Sequence, residues 1–210
     1  MNHRLIFANE TMKEEIDCLR MQEYGNASGF SLDLNSLKWR QSDNDSFVMA
    51  AQADGVMVST MRGEIISDIW LLEKKLECPW DFPFDLQLPV LLLSRAATMS
   101  THRTAGLNLV QRYWFIRLAM ENNIPSLVGT FVSGSPREKT LREMGYIFFE
   151  NKLGWQESTY RSHRPVTVAV LDLKAEGERA LRYCLDRAAA GIQLFQFDGV
   201  FPEFRNVRSL

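Results

Sequence analysis

The sequence is poor in cysteine. Cys18, Cys78 and Cys184 are the only three in 210 residues. Too few and too widely spaced for a disulfide framework or a zinc cluster, they read as reduced thiols of a cytoplasmic protein, with no metal site implied. Long hydrophobic runs are also missing. The longest, Leu88 to Leu93, is interrupted by Pro89 and falls far short of the roughly 20 residues that a membrane span needs. Met1 to Glu10 holds no apolar core long enough for a secretory signal. Charge of one sign is not in excess: 24 Lys and Arg against 26 Asp and Glu leave a formal net charge of −2. That argues against a dedicated nucleic-acid binder, which shows a basic excess. What remains is a globular balance, 46% apolar and 24% charged. A chain of this length buries roughly 70% of its unfolded surface and needs no staple. Residues 1–210 are expected to form one domain, with 155–210 a C-terminal strand–helix extension.

The chain reads as alternating elements. Arg4 to Ala8 is a short apolar strand. Thr11, with Glu14 three residues later, has capping-box spacing ahead of a helix broken by Gly25 to Gly29. Leu32 to Trp39 is ambiguous between a loop and a second short helix. Ser46–Ala53 and Val56–Arg62 flank Asp54-Gly55, a strong hairpin signal. Ile65 to Glu77 reads as a helix, Pro79 to Pro89 as an aromatic loop, and Leu88 to Thr98 as a buried strand. A helix from Gly106 to Asn122 and a strand from Ser126 to Val132 follow. The next helix, Ser135 to Met144, is opened by Pro136 and stopped by Gly145. Tyr146 to Asn151 and Val166 to Leu173 read as strands, and Ala175 to Ala190 as a last helix ended by Gly191. This order predicts an α+β fold close to α/β, a mixed sheet with helices on both faces.

The stretch that carries chemistry lies between Leu91 and Phe149. A buried strand ends near Met99, and the small polar loop Ser100 to Gly106 opens directly into a long helix. Small residues allow close backbone approach. The free N–H groups and dipole of a helix start favour a phosphate, and Arg103 adds charge. The order Arg103-x-x-Gly106-Leu107-Asn108, helix, strand, helix, then Arg142-Glu-Met-Gly-Tyr-Ile-Phe-Phe resembles the acyl-donor half of the GNAT superfamily of N-acyltransferases. The resemblance covers roughly residues 4–153 and implies a splayed GNAT-type sheet. It implies that Ala97, Thr98 and Met99 run beside a pantetheine arm. It also implies that Arg103, Thr104, Ala105, Gly106, Leu107 and Asn108 hold a pyrophosphate or phosphopantetheine phosphate.

Within that superfamily, Arg20, Tyr24, Trp39, Asp43, Asp45, Arg62 and Ser94-Arg95-Ala96 are laid out as in acyl-homoserine-lactone synthases and N-acyl amino acid synthases. There the donor is an acyl chain on acyl carrier protein or CoA, and the acceptor is an amino-acid amine. Acyl-CoA or acyl-phosphopantetheine is thus expected as co-substrate rather than as a resident cofactor. Two positions depart from the pattern. Leu92 stands where the lactone synthases place an acid, and Leu141 where many acetyltransferases place a tyrosine.

Aminolysis of a thioester needs a neutral amine, hence a proton acceptor, and a donor to the oxyanion. Glu64, Asp43 and Asp45 are the acid candidates, with Glu64 and Asp45 assigned to catalysis; a backbone N–H at Ala96 or Ala97 is the oxyanion donor. Trp39, Asp43, Arg62 and Arg95 are assigned to the acceptor. Arginines in apolar strands need a partner. Arg62 and Arg95 either bind a substrate carboxylate or pair with Asp43 or Asp45 to hold the loop. Trp39, Trp70, Trp80, Phe82 and Phe84 either wall an acyl tunnel or form plain core. The basic residues Arg137, Lys139, Arg142, Arg161 and Arg164 suit an acidic carrier protein or a solvated face. The resulting expectation is an N-acyltransferase. Its alternatives are an acetyl-CoA-dependent N-acetyltransferase and a catalytically silent acyl-CoA or acyl-carrier binding module.

Overall fold

The computed structural model of the chain describes residues 2–26, 30–32, 34–76, 86–150, 160–162 and 166–198. Most of the aromatic loop, with Cys78, Trp80, Phe82 and Phe84, lies outside these residues, as does Arg164. Strand β1 (His3–Ala8) passes through a 3₁₀ turn (Glu10–Met12) into helix α1 (Lys13–Gly25). Strand β2 (Phe30–Leu32), a second 3₁₀ turn (Leu34–Leu37) and the one-turn helix α2 (Gln41–Asn44) follow. Strands β3 (Phe47–Ala53) and β4 (Val56–Ile66) form a hairpin. Asp54 and Gly55 take positive φ of 50° and 81° at its turn, as a two-residue hairpin loop with the strands' own twist requires. Helix α3 (Ile69–Leu76), strand β5 (Val90–Thr98), a 3₁₀ turn (Ser100–Ala105) and helix α4 (Leu107–Glu121) come next. Strand β6 (Ser126–Val132), helix α5 (Pro136–Glu143) and strands β7 (Ile147–Glu150), β8 (Tyr160–Ser162) and β9 (Val166–Asp172) lead to helix α6 (Leu173–Leu194) and strand β10 (Gln196–Phe197).

Among the described residues, eight strands form one sheet in the order β10-β1-β3-β4-β5-β6-β9-β7, and β2 pairs with β8 beside it. Only β10/β1 and β5/β6 are parallel. Alternation along the strands divides the interior between two faces. On one face Leu91, Leu93, Leu127, Ala169 and Leu171 pack with Val110, Phe115 and Ala119 of α4 and Ala180 and Cys184 of α6. On the other, Val90, Leu92, Val128, Val168 and Val170 pack under Leu72 and Leu76 of α3. Ile16 and Leu19 of α1 cover Val48, Ala50 and Met57 of the neighbouring strands. At about 1.5–3 kcal/mol for each large apolar side chain, this burial is the main force holding helices to the sheet. The expected strand and helix beyond residue 155 are β9 and α6, and β9 lies inside the sheet, between β6 and β7.

Three local expectations are corrected and one ambiguity is resolved. The run from Ile65 to Glu77 is not one helix: β4 continues to Ile66, which pairs with Val90, and α3 starts only at Ile69. The helix start is not capped by Thr11. The Asn9 carboxamide accepts from the Thr11 N–H at 3.0 Å and opens a 3₁₀ turn ahead of α1. Gly191 does not end the last helix, which runs on to Leu194 with a kink at Ala188. Leu32–Trp39 holds the end of β2 and a 3₁₀ turn rather than an α-helix.

Two features of β5 position the site. Its pairing with β6 covers only Val90–Leu93 against Ser126–Gly129. Beyond that, β5 stays with β4 as far as Thr98 and β6 stays with β9 as far as Val132. The sheet therefore forks, and among the described residues the β6-facing edge of β5 has no strand partner after Leu93. Gly129 sits at the fork, where a Cβ would lie 3.3 Å from the Leu93 carbonyl oxygen. The second feature is a bulge. Thr60 and Arg62 of β4 face Ala97 and Ser94 of β5, and the extra residue leaves Arg95 at φ 50°.

Candidate active site

The bulge turns Arg95 toward α1 and α2. Its guanidinium donates to Asp43 Oδ2 at 2.7 Å and to the Lys38 carbonyl at 3.1 Å. Asp43 is buried at 1% exposure and takes two further cations. Arg20 Nη1 of α1 donates to its Oδ1 at 3.0 Å, and Arg62 Nη1 lies 3.9 Å from its Oδ2. It also caps α2 by accepting the Arg40 N–H at 3.0 Å. Burial lowers the Arg20 pKa from its ordinary value; Asp43 opposes this and Arg95 adds to it. Arg20 Nε and Nη2 are buried without a hydrogen-bond partner, so a fully enclosed guanidinium is only partly satisfied. Leaving such donors unpaired is costly.

The network continues along β4. Arg62 donates from Nε to Ser94 Oγ at 3.0 Å and lies 3.5 Å from Glu64. Glu64 in turn meets Lys75 of α3 at 2.5 Å, while its Oε2, though buried, has no hydrogen-bond partner. Four cations, Arg20, Arg62, Arg95 and Lys75, thus gather around two acids, Asp43 and Glu64. Trp39 closes the same corner. Its backbone N–H donates to Asp17 and its Nε1 to Asn44 at 2.7 Å. Asp45 is apart from these groups, exposed at the C-terminal end of α2.

At the other end of β5, Met99 N–H donates to the Val58 carbonyl at 2.8 Å, ending the strand. The Ser100–Ala105 turn then delivers the chain to α4 through Gly106, whose φ of 68° is the left-handed conformation that favours glycine. Gly106 therefore serves the backbone and the packing of Ala188, 3.4 Å from where a Cβ would lie, so a valine there would strain the turn. Ala97 lies opposite Thr60 on β5, and Thr98 Oγ1 meets Ser59 Oγ at 2.8 Å. Leu107 is buried in the core, and Asn108 accepts from Arg112 Nε at 3.1 Å. Arg103 and Thr104 are exposed.

The Ser100–Ala105 turn is held from α1. Glu23 is buried, accepts the Ser100 N–H at 3.1 Å through Oε1, and accepts Arg103 Nη2 at 2.7 Å through Oε2. Sequence reasoning missed this residue. Its signal is its place one helical turn after Arg20, on the same face of α1. Also missed were Gln111, fully buried and bonded to Ser59 and the Met49 carbonyl, and Arg112, which donates to Tyr146 Oη at 3.2 Å. Leu141 is core. Trp70 is 75% exposed and so does not belong to the core.

No protein-family model matches the chain, and no curated protein matches it in sequence. Solved structures match it over nearly its whole length. A CoA-dependent acyl-homoserine lactone synthase, BjaI, is 14% identical with a TM-score of 0.60, the match covering 95% of each chain. FeeM, an N-acyl amino acid synthase from uncultured soil microbes, is 13% identical with a TM-score of 0.56, covering 87% of this chain and 98% of its own. A ribosomal-protein-alanine N-acetyltransferase from Brucella melitensis is 16% identical with a TM-score of 0.56, covering 82% and 100%. The chain has the GNAT fold these acyl- and acetyltransferases share.

Proposed function

We propose that the protein is a cytoplasmic N-acyltransferase that moves a medium or long acyl chain from a CoA or acyl-carrier thioester to the amine of an amino-acid-like acceptor. The observation that carries this reading is the fork of β5 from β6, which among the described residues leaves a strand edge without a strand partner, next to a helix start at one end and to the Arg62–Arg95–Asp43 cluster at the other. The open edge of β5 from Ser94 to Met99 suits hydrogen bonds to a pantetheine arm. The turn at Arg103–Asn108 suits its phosphate. The guanidinium groups of Arg62 and Arg95 suit the acceptor's carboxylate by their planar donor geometry, with Asp43 and Trp39 shaping the corner. BjaI and FeeM, a CoA-dependent lactone synthase and an N-acyl amino acid synthase, lend this branch support.

In the reaction the neutral amine attacks the thioester carbonyl. The oxyanion accepts from a β5 backbone N–H near Ala97. Glu64, directly or through water, takes the amine proton. The C–S bond then breaks and the proton leaves with the thiolate. Asp45, exposed at the end of α2 and apart from these groups, is not used in this step. Replacing Glu64 by Gln is expected to lower kcat by about 10²–10⁴-fold, the usual yield of a general base.

The test is a donor series from acetyl to palmitoyl, as CoA and as carrier-protein thioesters, with pooled amino acids as acceptors. The expected kcat/KM rises with chain length. A maximum at acetyl that falls with length would instead assign an acetyl-CoA-dependent N-acetyltransferase. Donor binding without turnover of any thioester would assign a silent binding module.

A further inference from the structure

Resting on the donor-loop reading above, we infer that Glu23 is a positioning residue that holds the phosphate loop in shape while neutralising its one guanidinium, and so sets a deliberately weak grip on the donor's phosphate. The Ser100–Gly106 segment contains a single Lys or Arg, Arg103. The Glu23 carboxylate is 5% exposed and already takes that charge at 2.7 Å. Its other oxygen fixes the first N–H of the turn, at Ser100. Each oxygen thus has its own task, one mechanical and one electrostatic. The Arg103 side chain is 60% exposed, so an arriving phosphate meets a guanidinium shared with an acid rather than a free one. Glu23 also stands one turn along α1 from Arg20, which holds Asp43 at the acceptor end. The same helix therefore fixes both ends of β5.

Glutamine at position 23 separates the two tasks. Its carboxamide oxygen still accepts the Ser100 N–H, while its NH₂ cannot pair with a guanidinium, so Arg103 is released to the phosphate. Glu23→Gln is expected to bind CoA about tenfold more tightly at low salt, as a freed charge-assisted bond implies. The gain shrinks as ionic strength rises, because the guanidinium is exposed. Arg103→Gln, whose melting curve reads the cost of leaving the Glu23 carboxylate without its cation, is expected to weaken CoA binding less than about threefold in the native background and to abolish the gain in the Glu23→Gln background. Calorimetry over a salt series, with melting curves for each variant, reads all of this. An unchanged or weaker affinity of folded Glu23→Gln overturns the inference. So does a tenfold loss from Arg103→Gln alone, a result available even if Glu23→Gln does not fold. A native protein that binds CoA tightly with neither change affecting it would contradict the role of Glu23 only. A native protein that binds neither CoA nor phosphopantetheine would overturn the donor-loop reading and this inference with it.

Discussion

Asp43 illustrates how one side chain holds a region in place. Its carboxylate gathers Arg20 and Arg95 by hydrogen bonds, approaches Arg62 and caps α2. Removing the charge would strand buried guanidinium groups, and breaking a buried pair costs about 3–5 kcal/mol. Asp43→Ala is therefore expected to lower unfolding free energy by that amount in urea titrations; a loss under about 1 kcal/mol would mean that solvent reaches the cluster freely. Cys184 gives a prediction of opposite kind. Burial pushes its thiol from 9.0 up to about 12, with Arg112 pulling the other way. The unfolded thiol ionises near about 8.5, so from there to about pH 12 the unfolded state has lost a proton that the folded state keeps. Stability must fall as pH rises through that window, at up to about 1.4 kcal/mol per pH unit. Urea midpoints from pH 8 to 11 should fall more steeply for the native protein than for Cys184→Ala. Tyr146, also raised by burial, adds a decline above about pH 10 common to both. Parallel slopes for the two proteins would contradict the burial of the thiol.

Between elements, the decisive contact is α6 against the Ser100–Gly106 turn. A Cβ at Gly191 would lie 2.7 Å from the Ala105 carbonyl oxygen and 2.9 Å from Val110, and Gly106 faces Ala188 at the kink. Neither the carbonyl nor the core valine has room to yield. Gly191→Ala is thus expected to cost about 1–3 kcal/mol by overpacking and to weaken CoA binding by displacing the loop. An unchanged melting temperature and affinity would show that the helix gives way instead. The sequence signal at Gly191 reads naturally as a helix stop, and only the packing reveals the helix passing over the loop. The same division runs through the chain. Val90–Thr98 and Ser126–Val132 are legible because apolar runs of strand length stand between clear breaks. The boundary at Ile66 is not, because Ile65, Ile66, Ile69 and Leu72 also suit a helical face, and only pairing with Val90 settles it. The Ser100–Gly106 turn and the helix start behind it are legible from local chemistry: small residues and a glycine. The Arg20–Asp43–Arg95 cluster draws on three elements far apart in sequence, so its pairings cannot be read from spacing. A buried acid such as Glu23 looks locally like any helix-surface glutamate.

Across the whole molecule, the fork divides the sheet into a five-stranded side, β10-β1-β3-β4-β5, and a three-stranded side, β6-β9-β7. Four residue pairs between β5 and β6 join them. Packing on both faces does the rest, Phe115 and Val110 of α4 on one and Leu72 and Leu76 of α3 on the other. A donor lying in the fork would supply the hydrogen bonds that β6 does not give to Ser94–Thr98. Binding to the folded state alone adds about 2.7 kcal/mol of stability at a hundredfold excess over Kd. That gain would accompany donor binding anywhere on the surface, so a thermal shift by itself does not locate the ligand. Amide exchange does, because it reads local opening strand by strand. With saturating CoA, exchange is expected to slow at Ser94–Met99, at Ser100–Asn108 and at Thr130–Ser133, on both sides of the fork. The β1/β10 edge lies at the far side of the sheet and should change only as global stability rises. Protection spread evenly over all strands would reflect that global rise alone. Protection confined to the Ser100–Asn108 turn would place the phosphate there but leave the fork empty, and would remove the strand edge of β5 from the account of donor binding.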